Sequence, residues 1–229
     1  RPIGAVIVEP IQGRGGSVVP DPALLPGLRR LCDRHGALLI ADEIFTGCGR
    51  TGTLFACEAD GVAPDLLCVG KALGGGLPMS ACLGRPAVMA AWGESTGEAL
   101  HTSTFLGNPV ASAAALATLA VIEDEGLVAA AAIKGARLME LLRAGLRHTP
   151  GIVEVRGRGL MLGVEFGDLD QISAGERVLA TVGRALRAGV LVLPCGPGGS
   201  VLQLTPPACM TATQLETLAD IVVAATEAP

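Results

Sequence analysis

Asp65-Leu-Leu-Cys-Val-Gly-Lys71-Ala-Leu-Gly-Gly-Gly76 sets an apolar run, a lysine and a glycine run in immediate succession. Leu66 to Val69 has the length of a short buried strand, which delivers an ammonium into an interior where charge is costly. A lysine held there loses its proton readily and can become an imine-forming amine. Read alone, the segment also fits a strand-end lysine that turns outward along its own stem. Only two lysines, Lys71 and Lys134, stand among 229 residues, against fifteen arginines.

Outward from this segment, Ala5 to Val8, Ala37 to Ala41 and Ser80 to Leu83 are further short apolar runs. They alternate with helical patterns, which predicts an α/β architecture with a largely parallel sheet. One helix follows Pro20-Asp-Pro22 and reaches about Arg34, with Asp21 as N-cap and Gly36 as its stop. A second starts near Asn108-Pro109 and ends at Glu125, where Gly126 breaks it; a third covers Leu127 to Arg147. Thr149-Pro150-Gly151 marks the expected boundary, with residues 1–148 in a large domain and 149–229 in a small α+β domain. The small domain is expected to hold strands Val153 to Arg156 and Leu160 to Phe166. Amphipathic helices follow at about Ala174 to Ala188 and Thr211 to Ala225. Gly196-Pro-Gly-Gly199 reads as a mobile loop.

Composition narrows the class. Half of the residues are hydrophobic and 17% are charged, which is material for packed cores. No apolar stretch approaches the eighteen or so residues of a membrane span. A net charge of −5 without a basic stripe argues against a nucleic-acid partner. Seven scattered cysteines without a C-x-x-C pair read as reduced core thiols of a cytoplasmic protein. His35, His101 and His148 are too dispersed to form a compact metal motif, so no metal is expected.

In α/β sheets function gathers at the carboxyl ends of strands, and Glu9, Asp42 with Glu43, and Lys71 stand where the apolar runs stop. A carboxylate at the end of Leu38 to Ala41 is expensive to bury unless a cation meets it. The protonated ring nitrogen of pyridoxal 5′-phosphate is such a cation, and held charged it lets the ring act as an electron sink. The pair alone also fits a solvated turn.

The ordered set of segments resembles the class III (subgroup II) aminotransferases of pyridoxal-phosphate fold type I, which include ornithine, acetylornithine, 4-aminobutyrate and diaminopelargonate aminotransferases. The matching segments are Val6-Ile-Val-Glu9-Pro-Ile-Gln-Gly13, Leu39-Ile-Ala-Asp42-Glu43-Ile-Phe-Thr-Gly47, Gly49-Arg-Thr-Gly52, Pro64-Asp65 through Gly76, His101-Thr-Ser-Thr104-Phe and Gly107-Asn-Pro109. The resemblance implies that Lys71 is the Schiff-base lysine and proton shuttle and that Asp42 pairs with the pyridinium. It puts Glu9, Gln12, Glu43 and Phe45 beside them at the cofactor. Thr104, with Ser103, resembles the hydroxyls that reach the phosphate of the neighbouring subunit, so a homodimer is implied. Arg156 looks like the arginine that grips the substrate carboxylate, with Arg158 as the competing candidate.

Two departures from the family pattern stand out. Arg14 occupies a position where many relatives carry a glutamate, so a glutamate switch of the 4-aminobutyrate or ornithine type is expected to be absent. Arg14 then either adds a second anion contact or faces solvent. Phe45 stands where glutamine often reaches the cofactor's phenolic oxygen; phenylalanine cannot donate there, so the cofactor imine should titrate differently.

The implied activity is ping-pong transfer of an amino group from a primary amine or amino acid to a 2-oxo acid. Sister reactions on the same scaffold (decarboxylating transamination, aminomutation, racemisation) and a catalytically inert remnant are the alternatives. The chain starts at Arg1 and lacks the Gly/Ser-rich phosphate loop of such enzymes. It therefore reads as their carboxyl-terminal half, inactive and poorly folded by itself.

Overall fold

The computed structural model describes residues 2–94, 96–97 and 101–227. Its first half is built on a four-stranded sheet. Strand β1 (Ala5–Val8) is followed by α1 (Leu24–His35) and β2 (Leu38–Asp42), then by the single turn α2 (Ala56–Ala59) and β3 (Leu66–Val69). β4 (Ala81–Gly84) completes the order β1-β2-β3-β4, with β1, β2 and β3 parallel and β4 antiparallel to β3. The expected parallel sheet is therefore present, with one reversed edge strand. Leu39, Leu67 and Val69 point into a core shared with Leu25 and Cys32 of α1, while Asp42 and Cys68 belong to the alternate face.

Helix α1 begins later than Asp21. Asp21 instead folds a turn in which its Oδ1 accepts from the Ala23 N–H at 2.7 Å and its carbonyl from the Leu24 N–H. Gly36 ends the helix in the left-handed region, as expected.

After β4 come α3 (Pro86–Met89), α4 (Pro109–Asp124) and α5 (Leu127–Gly145). The Asn108 side chain caps α4 by accepting from the Val110 and Ala111 N–H groups, and Pro109 fills the first helical position, where its missing donor does no harm.

The second half holds an antiparallel sheet ordered β5-β6-β8-β7, formed by β5 (Ile152–Arg158), β6 (Met161–Phe166), β7 (Leu193–Cys195) and β8 (Val201–Leu204). Helix α6 (Ala174–Arg187) lies between β6 and β7 in sequence, and α7 (Ala212–Glu227) closes the chain. A capping box joins Ser173 and Glu176 at the start of α6. Pro194 is accommodated because β7 is an edge strand. Gly196 to Gly199 form the tight connection between β7 and β8, closed by a Gly199 N–H to Gly196 carbonyl bond.

The hydrophobic cores do not divide at Thr149. Ala131, Leu138 and Leu142 of α5 and the following Leu146 are buried together with β5, β6, α6 and α7. The long helix expected to belong to the first domain therefore packs into the second core. At its closest approach there is no room for a side chain: a Cβ on Gly135 would meet the Gly159 carbonyl oxygen at 2.1 Å.

Candidate active site

Asp42 is the last residue of β2, and Lys71 follows the end of β3 by one extended glycine, Gly70. Because β2 and β3 are parallel and Asp42 is the register partner of Cys68, both groups emerge at the same carboxyl edge. Lys71 opens a 3-10 turn (Lys71–Gly74) with φ +45°, a left-handed conformation that non-glycine residues seldom adopt and that concentrates at functional positions.

The expected interior setting of Lys71 is not found: its side chain is exposed on this chain. The left-handed backbone turns it away from the core occupied by Val69 and Leu73. Its Nζ stands 4.7 Å from the centroid of the Phe45 ring, a cation–π arrangement. Phe45 in turn closes on the first loop, since a Cβ at Gly13 would lie 3.1 Å from its Cγ. Glu9 holds that loop by accepting the Gly13 N–H at 2.7 Å, and Gln12 is exposed on it while its backbone pairs with Val18. Asp42 Oδ1 accepts the Ile44 N–H at 3.1 Å.

Glu43 requires a correction. Its carboxylate is fully buried on the core side, where it accepts from Ala56 N–H at 3.0 Å, Cys57 N–H at 2.8 Å and the Thr46 hydroxyl. It caps α2 and does not face the Lys71 edge, because adjacent residues at a strand end point to opposite faces. The Cys57 thiol beside it is pushed up to about 12, first by burial and then by the Glu43 charge.

Arg156 also differs from expectation. It forms ion pairs with Glu154 at 2.9 Å and with Glu165, and its Nε donates to the Gly16 carbonyl at 2.9 Å. The register explains this: Glu154 and Glu165 are opposed on β5 and β6, a repulsive pair that the guanidinium neutralises. Burial lowers the basicity of Arg156, but the two carboxylates more than offset it and raise it overall. Arg158 pairs with Asp60 at 3.6 Å through Nη2, while its buried Nη1 has no hydrogen-bond partner among the described residues. Arg14 faces solvent in part and donates to the Pro194 carbonyl at 3.0 Å, tying the first loop to β7.

Ser103 and Thr104 lie in an exposed loop that leads into α4. Ser103 lines a cavity of about 440 Å³ with Met79, Ser80 and Asn108.

Gln203 escaped sequence reading. It is buried in β8 and donates to the Gly13 carbonyl at 3.1 Å and to Ser17 Oγ at 3.3 Å. Ser17 Oγ in turn donates to the Leu162 carbonyl. The available signal was one amide amid the apolar residues of Val201-Leu-Gln-Leu204, a polar group that burial obliges to find partners.

Parallel strands with Asp42 and Lys71 at one carboxyl edge agree with the fold type I arrangement that the sequence resemblance implies. The family model for class-III aminotransferases matches residues 1–226, and the chain belongs to that family. Among solved structures, the ornithine aminotransferase of Toxoplasma gondii is 39% identical, with a TM-score of 0.87 over 97% of this chain and 51% of that one. Acetylornithine aminotransferase from Elizabethkingia anophelis gives 36% identity and a TM-score of 0.87 over 97% and 56% of the two chains. An amine transaminase from an uncultivated Pseudomonas species gives 39% and 0.84 over 98% and 51%. This chain thus spans about half the length of the structures it matches.

Proposed function

We propose that this chain supplies the lysine and aspartate of an enzyme that transfers an amino group from a primary amine or amino acid to a 2-oxo acid with pyridoxal 5′-phosphate. The observation that carries the reading is the pairing of Asp42 and Lys71 at the ends of two adjacent parallel strands, with the amine over the Phe45 ring. The donor set fits the group. A carboxylate whose Oδ1 already holds one N–H suits a protonated ring nitrogen, and an exposed primary amine suits an aldehyde. When bound, the cofactor supplies that aldehyde and an electron-withdrawing ring.

The protein's part is positional and electrostatic. Asp42 keeps a negative charge at a fixed place. Lys71 would hold the cofactor through its aldehyde and, once the amine substrate has displaced it, would act as the base and acid that moves the proton from the amine-bearing carbon of the substrate. Phe45 and the Glu9–Gly13 loop fix the ground on which the amine stands. Glu43 stabilises the β2 end from below by capping α2. Arg156 is given no role in gripping substrate, because Glu154 and Glu165 compensate its charge.

We further infer a cytoplasmic homodimer in which Thr104, with Ser103, serves the neighbouring site. All seven cysteines are unpaired, in keeping with a reducing compartment. Phe105 and Leu106, directly after Thr104, are exposed at 71% and 64%, the kind of apolar surface that subunit contacts cover.

Borohydride reduction of the complete protein followed by peptide mapping tests the proposal. A pyridoxyl group fixed on Lys71, lost in Lys71→Ala, is expected, together with amine transfer to pyruvate or 2-oxoglutarate. A folded, cofactor-saturated protein without the adduct would overturn it.

A further inference from the structure

Strands β3 and β4 bring two cysteines face to face. Cys68 and Cys82 are direct register partners in the antiparallel ladder. The Arg85 N–H donates to the Asp65 carbonyl at 3.1 Å, which makes Asp65 and Arg85 a hydrogen-bonded pair. Hydrogen-bonded and non-hydrogen-bonded pairs alternate along such a ladder, so Leu67 with Leu83 and Val69 with Ala81 are bonded pairs, while Cys68 with Cys82 is the non-bonded kind. In a non-bonded pair the Cα atoms approach to about 4.5 Å and the side chains draw together, within the roughly 4.4–6.8 Å span that a disulfide bridges. Cys82 is exposed and Cys68 partly so, and both thiols are free. Cys68 is also the register partner of Asp42 and precedes Lys71 by three positions.

We propose that Cys68 and Cys82 form a reversible dithiol modification site beside the Asp42–Lys71 edge, closed to an intramolecular disulfide by exchange with a low-molecular-weight disulfide. Cys82, the exposed member, attacks one sulfur of the small disulfide as its thiolate, forming a mixed disulfide and releasing one small thiolate. Cys68 then gives up its proton to solvent and attacks the Cys82 sulfur, which releases the second. The protein pair loses two electrons and two protons; the small disulfide gains both and leaves as two thiols. The order of attack follows from the surroundings. Cys68 is pushed up by burial first, and then by its neighbours Cys82 and Asp42, so it resolves and does not initiate. Closure pins β3 to β4 next to Asp42 and replaces two S–H groups with a bridge that donates nothing. Its effect on amine transfer rests on the proposed function; the chemistry of the bridge does not.

The test uses the complete protein, incubated with oxidised glutathione, quenched by alkylation and digested. The expected result is one peptide linking the Cys68 and Cys82 segments, loss of alkylatable thiol at both positions in equal amounts, and full recovery with dithiothreitol. The Cys82→Ser variant should form no linked peptide, and its amine transfer should resist oxidised glutathione. Cys68→Ala should instead trap glutathione on Cys82. A wild-type protein in which the two cysteines react independently, or in which glutathione stays on Cys82 without transfer to Cys68, would overturn the proposal. Failure of the functional reading looks different: the linked peptide forms, but Lys71 carries no pyridoxyl adduct.

Discussion

Gln203 donates from its Nε2 to the carbonyl of Gly13 at 3.1 Å, joining residues 190 positions apart. The same amide reaches Ser17, so β8 holds the loop that carries Gln12 and Arg14. Gln203→Leu removes this link while the Gly13 carbonyl keeps the Gly16 and Ser17 N–H groups, each at 3.2 Å, and is expected to cost about 0.5–1.5 kcal/mol. Gln203→Glu should be no better, because a carboxylate offers no N–H. Urea unfolding of the complete protein checks both; midpoints equal to that of the parent would show that the amide holds nothing.

Phe45 stands under the Lys71 amine at 4.7 Å. Phe45→Gln removes a cation–π contact of about 0.5–1 kcal/mol and introduces an amide donor. The pH midpoint of the cofactor's visible absorbance in the complete protein should therefore move. Coincident titration curves for parent and variant would count against a role for this ring.

Asp65 is the buried hub of the first sheet, accepting the Leu39 N–H at 2.8 Å and pairing with Arg29 at 2.7 Å and Arg85 at 3.3 Å. Burial alone pushes its carboxyl up, but the Leu39 N–H and the Arg29 and Arg85 guanidinium groups outweigh it and hold it below the usual range. A depressed folded value means that the stabilisation is complete above the unfolded value, near 3.9, and disappears as pH falls through the lower folded one. Asp65→Asn should cost about 3 kcal/mol at neutral pH, with the gap to the parent closing in strong acid. Denaturation curves across that range measure it, and a gap constant with pH would contradict the assignment.

Glu43 takes three donors in a fully buried site. Glu43→Ala orphans them and should destabilise by about 3–5 kcal/mol, among the larger effects of a single substitution. Loss of the cap should also bring Cys57 into reach of thiol reagents, whose rate is the direct readout. Unchanged protection of Cys57 would show that α2 holds without the carboxylate.

Lys71 and Thr104 are both exposed on this chain. If Thr104 serves the neighbouring subunit, Lys71→Ala and Thr104→Ala proteins, each nearly inactive, should regain amine transfer when unfolded together and refolded as mixed dimers. One site of each hybrid then holds both native residues. Absence of any recovery in a sample shown to contain hybrids would place Thr104 elsewhere.

The sequence alone determined the strands Ala5 to Val8 and Leu66 to Val69, the start of the long α4 near Asn108-Pro109, and the placement of Asp42 and Lys71 where apolar runs stop. Those features are written in local pattern: apolar runs, caps, and charged residues where runs stop. Tertiary structure decided what distant segments do to one another. It sent α5 into the second core, turned Glu43 inward to cap α2, and matched Arg156 to Glu154 and Glu165. It also lined up Cys68 with Cys82 and gave Gln203 its partners in the first loop. A side chain's type is local information, but its partner is set by strand register and by which faces pack, and no single segment contains either.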